Sequence, residues 1–328
     1  MSWSIPQVAV IFKLAESGEL TADELVRAAQ DSPLRPARQA WLLAADRLLA
    51  FAGVGLLASA LIFFFAWNWP DLHRFAKLSL AIAALSGCAG TAVMSPPFGT
   101  VYRAGLFGAC LFTGALLALI GQIYQTGADP WELFAAWAAL MLPFVLLARS
   151  SASWALWLAV GNVAMMRAIS QQPPWLEFLG EPFGAGPFLL LAGVNLAVLA
   201  AFEFAGSYLL VRPRRDLQRL AALGALGPLV VGGLLGWWIK DLRIVTLAFV
   251  VVGVGMLLVY LRPRRDLPIL GLTSFGAIAV LTSGLIRLLP ANEDWGVILY
   301  NVVALAVILA SAGTGRWLLA LYREDRQP

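Results

Sequence analysis

The chain has 328 residues, 60% of them apolar and 13% charged, with a mean hydropathy of +0.80 and a formal charge of +4. A water-borne domain has no use for that apolar share, because about half of its exterior must stay polar. The composition excludes an ordinary cytosolic enzyme, a disordered chain and a disulfide-built module, and Cys88 and Cys110, both inside apolar runs, read as small buried residues.

Residues 1–47 read as a small cytoplasmic helical lead-in. Pro6 suits a first helical position for a run from Gln7 to Glu16 that stops near Gly18. Thr21 with Glu24 forms a capping box for a second helix to about Gln30, and Pro36 starts a third that runs through Trp41 into the apolar region. Acids and bases are mixed here and there is no long apolar core, so no secretory leader is expected. Two short helices bury little, which makes the segment either a solvated lead-in or a docking surface for a protein partner.

A helix needs about 20 residues to cross a bilayer, and a charge at its centre costs several kcal/mol. Stretches with few charges therefore mark spans. Ten are expected, near 48–69, 76–94, 104–125, 132–148, 151–168, 186–210, 219–239, 243–261, 267–289 and 295–315, giving a transmembrane domain over 48–316 and a cytoplasmic tail over 317–328. With ten spans, 17 of the 23 Lys and Arg fall on the face shared by both termini. The positive-inside rule places that face, and both termini, in the cytoplasm. Trp67, Trp69, Trp131, Trp175, Trp237, Trp238 and Trp295 fall at the opposite ends of the spans, where amphipathic rings favour the headgroup level. The fold class is all-α: a polytopic transmembrane bundle in the bacterial inner membrane. The basic balance reflects orientation and calls for no nucleic acid.

Polar residues inside or at the rim of a span are expensive and need a reason. At the outer end of the first span stand Asn68, Asp71, His73 and Arg74. At the outer end of the third stand Gln122, Tyr124 and Gln125, followed by Asp129 and Glu132. Gln122 and Gln125, three apart, are expected on one helix face, and Asp129 before Pro130 fits a helix start. Both clusters lie on one predicted side, so a joint ligand or proton site is geometrically allowed. Ordinary interface anchors and helix caps would use the same residues.

The pattern Phe65-Ala66-x-Asn68-Trp69, then Arg74-x-x-Lys77, then Ile120-Gly-Gln-Ile-Tyr-Gln125 with Gly127-x-Asp129, and a Leu133-x-x-x-Trp137 run ending at Pro143, resembles an uncharacterised bacterial membrane family, the domain of unknown function numbered 2157. The likeness covers roughly residues 10–170. It implies a short helical lead-in and a multi-span topology, and it brings no activity. Trp67 and Gln125 stand where the resemblance leads one to expect histidine, which counts against a metal or proton role at those two positions.

Further along, Asn195 and Glu203 lie in the sixth span, about 80° apart around the helix, so both can face the bundle interior. A carboxyl in lipid must be neutralised, paired or hydrated. Glu203 is thus either a coupling group for transport or a structural partner of a nearby cytoplasmic arginine. Asn162 and Asn301 read as helix–helix glue. The hexapeptide Arg212-Pro-Arg214-Arg215-Asp216-Leu217 recurs as Arg262-Pro-Arg264-Arg265-Asp266-Leu267, 50 residues on. Each copy closes a two-helix hairpin: proline sets the turn, the arginines hold the loop inside, and the aspartate can cap the next helix. Binding of anionic lipid headgroups is the functional alternative for these arginines. Glycine pairs such as Gly232/Gly236 and Gly271/Gly276 mark close helix approach.

No phosphate loop, zinc-protease motif or nucleophile elbow occurs, and a lone histidine makes no zinc site, so no metal, cofactor or catalytic residue is assigned. A small-molecule or ion permease is the leading expectation, motivated by ten spans, Glu203, and Pro143 and Pro228 as helix interruptions. A non-transporting scaffold or accessory subunit is the alternative, and an intramembrane enzyme ranks last.

Overall fold

The computed structural model describes residues 21, 38–67, 72–125, 127–211, 215–288 and 293–324. The described chain is helical, without strands. Ten long helices follow one another: α1 (Arg38–Trp67), α2 (Arg74–Val93), α3 (Thr100–Tyr124), α4 (Pro130–Ala148), α5 (Ser151–Gln171), α6 (Ala185–Leu209), α7 (Asp216–Leu235), α8 (Arg243–Leu261), α9 (Leu267–Leu288) and α10 (Glu293–Glu324). All ten are long and apolar enough to cross a membrane. The protein is a multi-span membrane protein, in which every backbone polar group within the hydrocarbon must be satisfied inside its own helix.

Local chemistry sets the helix ends. Pro130 occupies the first turn of α4, and the Glu132 carboxylate accepts the backbone N–H of Asp129 at 3.2 Å, the return half of a capping box. Ser150 caps α5 by accepting the Ser153 N–H at 3.2 Å. Between α4 and α5 the turn is only Arg149 and Ser150, with Arg149 held at φ +44°, and Gln125 and Gln172 end their helices in the same left-handed region. The prolines expected to interrupt helices do not: α4 runs unbroken through Pro143, and α7 through Pro228. Neighbouring helices hold each element in place where the missing N–H would otherwise weaken it.

Two helices organise the packing. α3 lies against α1, α2, α4 and α5, and α7 lies against α5, α6, α8 and α9. About half of the apolar stretch of each is buried, 56% in α3 and 50% in α7, against 6% in both α1 and α10, which are peripheral. Trp154 of α5 joins the two groups. It packs with Cys110 and Met141 on one side and with Phe202, Leu210 and Leu217 on the other, and its indole N–H donates to the Leu209 carbonyl at 3.1 Å.

Candidate functional site

Helices α6 and α8 approach each other at the end of the bundle that carries the repeated arginine turns. Glu203, in the last two turns of α6, is nearly enclosed, with 11% of its side chain exposed. It reaches partners 57 and 61 residues further on. The buried Tyr260, one residue from the end of α8, donates its hydroxyl to Oε1 at 2.8 Å. Arg264 donates from Nη1 to Oε2 at 2.7 Å. The carboxylate is therefore paired, with an arginine and a tyrosine as its partners.

Arg264 is itself held in place. Its guanidinium lies 4.9 Å from the Phe204 ring centroid. Its backbone N–H bonds the Val259 carbonyl at 3.1 Å, closing the turn after α8. Arg215, from the first copy of the repeat, donates to the carbonyls of Arg264 and Arg265 at 2.7 and 3.0 Å. The two copies thus lie against each other, with unequal aspartates. The Asp266 side chain is fully buried, accepts from Arg219 on both oxygens at 3.2 Å, lies 3.6 Å from Arg215, and takes the Ile269 N–H as the cap of α9. Asp216, its counterpart, is exposed.

Between α6 and α8 runs a groove of about 510 Å³, with Glu203, Tyr260 and Arg264 at one end and Leu196, Leu199, Ala200, Val252, Gly255 and Met256 along its length. The side chains named along its length are all apolar. A second groove, of about 450 Å³, lies where α5, α6 and α7 meet, and Asn162 lines it. Asn162 and the fully buried Asn195 exchange amide hydrogen bonds at 2.7 and 3.2 Å, and each also donates to the carbonyl four residues earlier in its helix. Asn195 and Glu203 share a helix but have separate partners.

The outer clusters look different in three dimensions. Asn68 and Asp71 lie outside the described residues, as do Arg212 and Arg214. His73, Arg74, Gln122, Tyr124, Gln125, Asp129 and Glu132 are all exposed. The antiparallel packing of α2 on α3 sets the two clusters at the same end of the bundle, with Leu72 and Ile123 in one apolar group around Ala81 and Leu119. Several of these polar groups serve local structure: His73 Nδ1 accepts the Phe75 N–H at 3.4 Å as the cap of α2, and Glu132 caps α4. Gln125 is turned out of α3 as its left-handed cap and does not share a helical face with Gln122. Arg262 and Arg265 lie in the second turn, where Arg265 pairs with Glu324 at 3.4 Å.

Sequence reasoning did not single out Tyr260 or the buried Lys77 of α2, and gave Asp266 only as a possible helix cap, without its arginine partners. For Tyr260 and Asp266 the available signal was position, a phenol and a carboxylate flanking the second arginine turn. For Lys77 it was a charge in the first turn of a span, which lipid forces toward protein. Among the described residues no three of His, Cys, Asp and Glu converge in a way that could hold a metal ion.

Residues 13–154 fit the model of a family described as predicted membrane protein (DUF2157). The matched stretch ends in the first turn of α5, so Glu203, Tyr260, Arg264 and both copies of the repeat lie beyond it. Neither curated proteins nor solved structures provide a match.

Proposed function

We propose that the protein is a permease of the bacterial inner membrane, with both termini in the cytoplasm, whose substrates are small amphiphiles that reach it from the bilayer. The observation that carries this reading is the charged set Glu203, Arg264 and Tyr260 at one end of an apolar groove between α6 and α8. Ionisable groups are expensive within lipid and serve there chiefly in pairs and along substrate paths. A groove that joins such a pair to an apolar channel suits a molecule with a polar head and a greasy tail. The ion pair gives Glu203 a part in this reading as well: a substrate that engages Arg264 competes with the carboxylate for the same guanidinium.

The test is translocation in proteoliposomes containing the full chain. The probe is acyl-labelled nitrobenzoxadiazole phosphatidylglycerol, and dithionite quenching reports its transfer between leaflets. The permease reading expects transfer faster than in protein-free vesicles, with the excess reduced in Glu203→Gln. A rate equal to that of protein-free vesicles counts against it.

One observation favours the second reading, an accessory subunit of an envelope complex. The apolar stretches of α1 and α10 are only 6% buried, which leaves long apolar faces available to partner helices, and residues 1–47 would add a cytoplasmic contact. Crosslinking in membranes followed by pull-down separates the two. A partner lost on deleting residues 1–40 supports the subunit, whereas recovery of this chain alone opposes it.

A further inference from the structure

We infer that the groove between α6 and α8 is a binding site for an anionic phospholipid of the adjoining leaflet, with its phosphate on Arg264 and one acyl chain along the groove. The inference rests on the proposed reading of this groove as the place where amphiphiles bind, and it names their class.

Three observations select the head. First, both oxygens of Glu203 are engaged, Oε1 by Tyr260 and Oε2 by Arg264, so an ammonium-headed ligand finds no vacant carboxylate. Second, Arg264 uses Nη1 for Glu203, keeps a third of its side chain exposed, and lines the groove. Nη1 is held by Glu203, the Phe204 ring lies 4.9 Å from the guanidinium and Arg215 bonds the backbone carbonyl, so the freedom of the guanidinium is reduced. A planar fork of donors held this way matches phosphate oxygens, and little side-chain entropy remains to be lost on binding. Third, Arg215, Arg219 and Arg264 face Glu203 and Asp266, which leaves one positive charge in excess around the head position. That excess favours a net-anionic headgroup over a zwitterionic one.

The tail is selected by shape. From Glu203 back to Leu196 the groove follows α6 for about 10 Å at the helical rise, alongside the parallel stretch of α8 from Tyr260 back to Val252. A free phosphate or a glycerol phosphate would leave this length unfilled, and a lipid tail would fill it. Gly255 provides an independent handle on the tail. It lines the groove, and a Cβ built on it meets no atom within 4 Å, so a larger side chain there occupies the groove without displacing the bundle.

The experiment is native mass spectrometry of the full chain, released from detergent and titrated separately with dioleoylphosphatidylglycerol, dioleoylphosphatidylcholine and glycerol 3-phosphate. Wild type is expected to retain phosphatidylglycerol in preference to the other two. Arg264→Gln and Gly255→Leu are each expected to reduce that retention about tenfold, the effect of losing one charge-assisted contact or the tail's space. The double substitution Arg262→Gln with Arg265→Gln, on the same turn but outside the groove, is expected to leave it within about twofold. Equal retention of phosphatidylcholine, competition by glycerol 3-phosphate, or unchanged retention in both Arg264→Gln and Gly255→Leu overturns the proposal. Should Arg264→Gln fail to fold, Gly255→Leu carries the decision alone, with unchanged retention against the proposal and reduced retention for it. Lipid retention without translocation of the labelled probe removes the permease reading and leaves the site; translocation without retention removes the site and leaves the permease.

Discussion

The helices around α3 and those around α7 are held together differently. Around α3 the joints are close approaches and indole-to-carbonyl bonds. Gly105 and Gly108 lie against Cys88 of α2, so that a Cβ on either would come within 2.7 Å of its atoms, and Gly114 faces the Trp137 indole, which donates to the Cys110 carbonyl at 2.8 Å. Trp157 donates in the same way to Ala138 at 3.1 Å. Around α7 small residues also matter, but polar side chains meet one another: Asn162 with Asn195, Arg219 with Asp266, and Glu203 with Tyr260 and Arg264. In lipid, apolar contact between helices gains nothing over contact with acyl chains, so association rests on close packing or on polar pairs. The α3 group relies on the first and the α7 group adds the second. The family match covers α1 to α4 and the first turn of α5, and stops short of the polar pairs.

The largest way to break this contrast is at Gly114. Elsewhere, replacing a helical glycine by alanine gains up to about 1 kcal/mol in helix propensity. At Gly114 the new methyl would sit inside the Trp137 ring, and moving the ring costs its hydrogen bond as well. Gly114→Ala is expected to destabilise by about 3 kcal/mol. Gly161→Ala, where a Cβ meets nothing within 4 Å, is expected to be neutral or slightly stabilising. Thermal unfolding in detergent, followed by tryptophan fluorescence, measures both, and similar melting points for the two variants would contradict the close-packing account.

The repeat provides the next test, because one residue type stands in two settings. Asp266 is buried and receives Arg219, Arg215 and the Ile269 N–H; Asp216 is exposed. Removing a buried partner leaves charges uncompensated, although here the arginine side chains are about two-fifths exposed and water recovers part of the loss. Asp266→Ala is expected to cost about 2 kcal/mol, and Asp216→Ala less than about 0.5 kcal/mol. Equal costs on unfolding in detergent would mean that the contact between the two turns contributes nothing.

The ten spans and the repeat were legible because lipid makes charge expensive, so charge-poor stretches delimit helices directly. Glu203 stood out for the same reason. Its partners did not, since Tyr260 and Arg264 lie about 60 positions away and nothing local ties them to it. The inequality of Asp216 and Asp266 was equally hidden, because the two hexapeptides are identical and only the packing of α7 against α8 and α9 buries one of them. At the clusters around His73 and Gln122 the legible part is local structure. His73, Asp129 and Glu132 occupy positions where a helix start needs an acceptor, and Gln125 occupies one where a helix end needs a left-handed residue. Their local roles account for them before any pocket is invoked.

The smallest expected effect is also the sharpest comparison, since it isolates one polar pair from the packing around it. Asn162 and Asn195 bond each other, and the approach depends on Gly224, where a Cβ would meet the Asn195 amide. Each amide also donates to a carbonyl of its own helix, so neither is stranded when the other is replaced by leucine. The coupling energy in a double-mutant cycle of Asn162→Leu and Asn195→Leu is therefore expected near 0.6 kcal/mol, and below about 1.7 kcal/mol, as found for hydrogen bonds between helices in lipid. Gly224→Ala, by contrast, drives a methyl into the amide and should cost more than either single replacement. A coupling of zero would leave Gly224 packing as the whole of the joint, and the α7 group would then resemble the α3 group at this crossing.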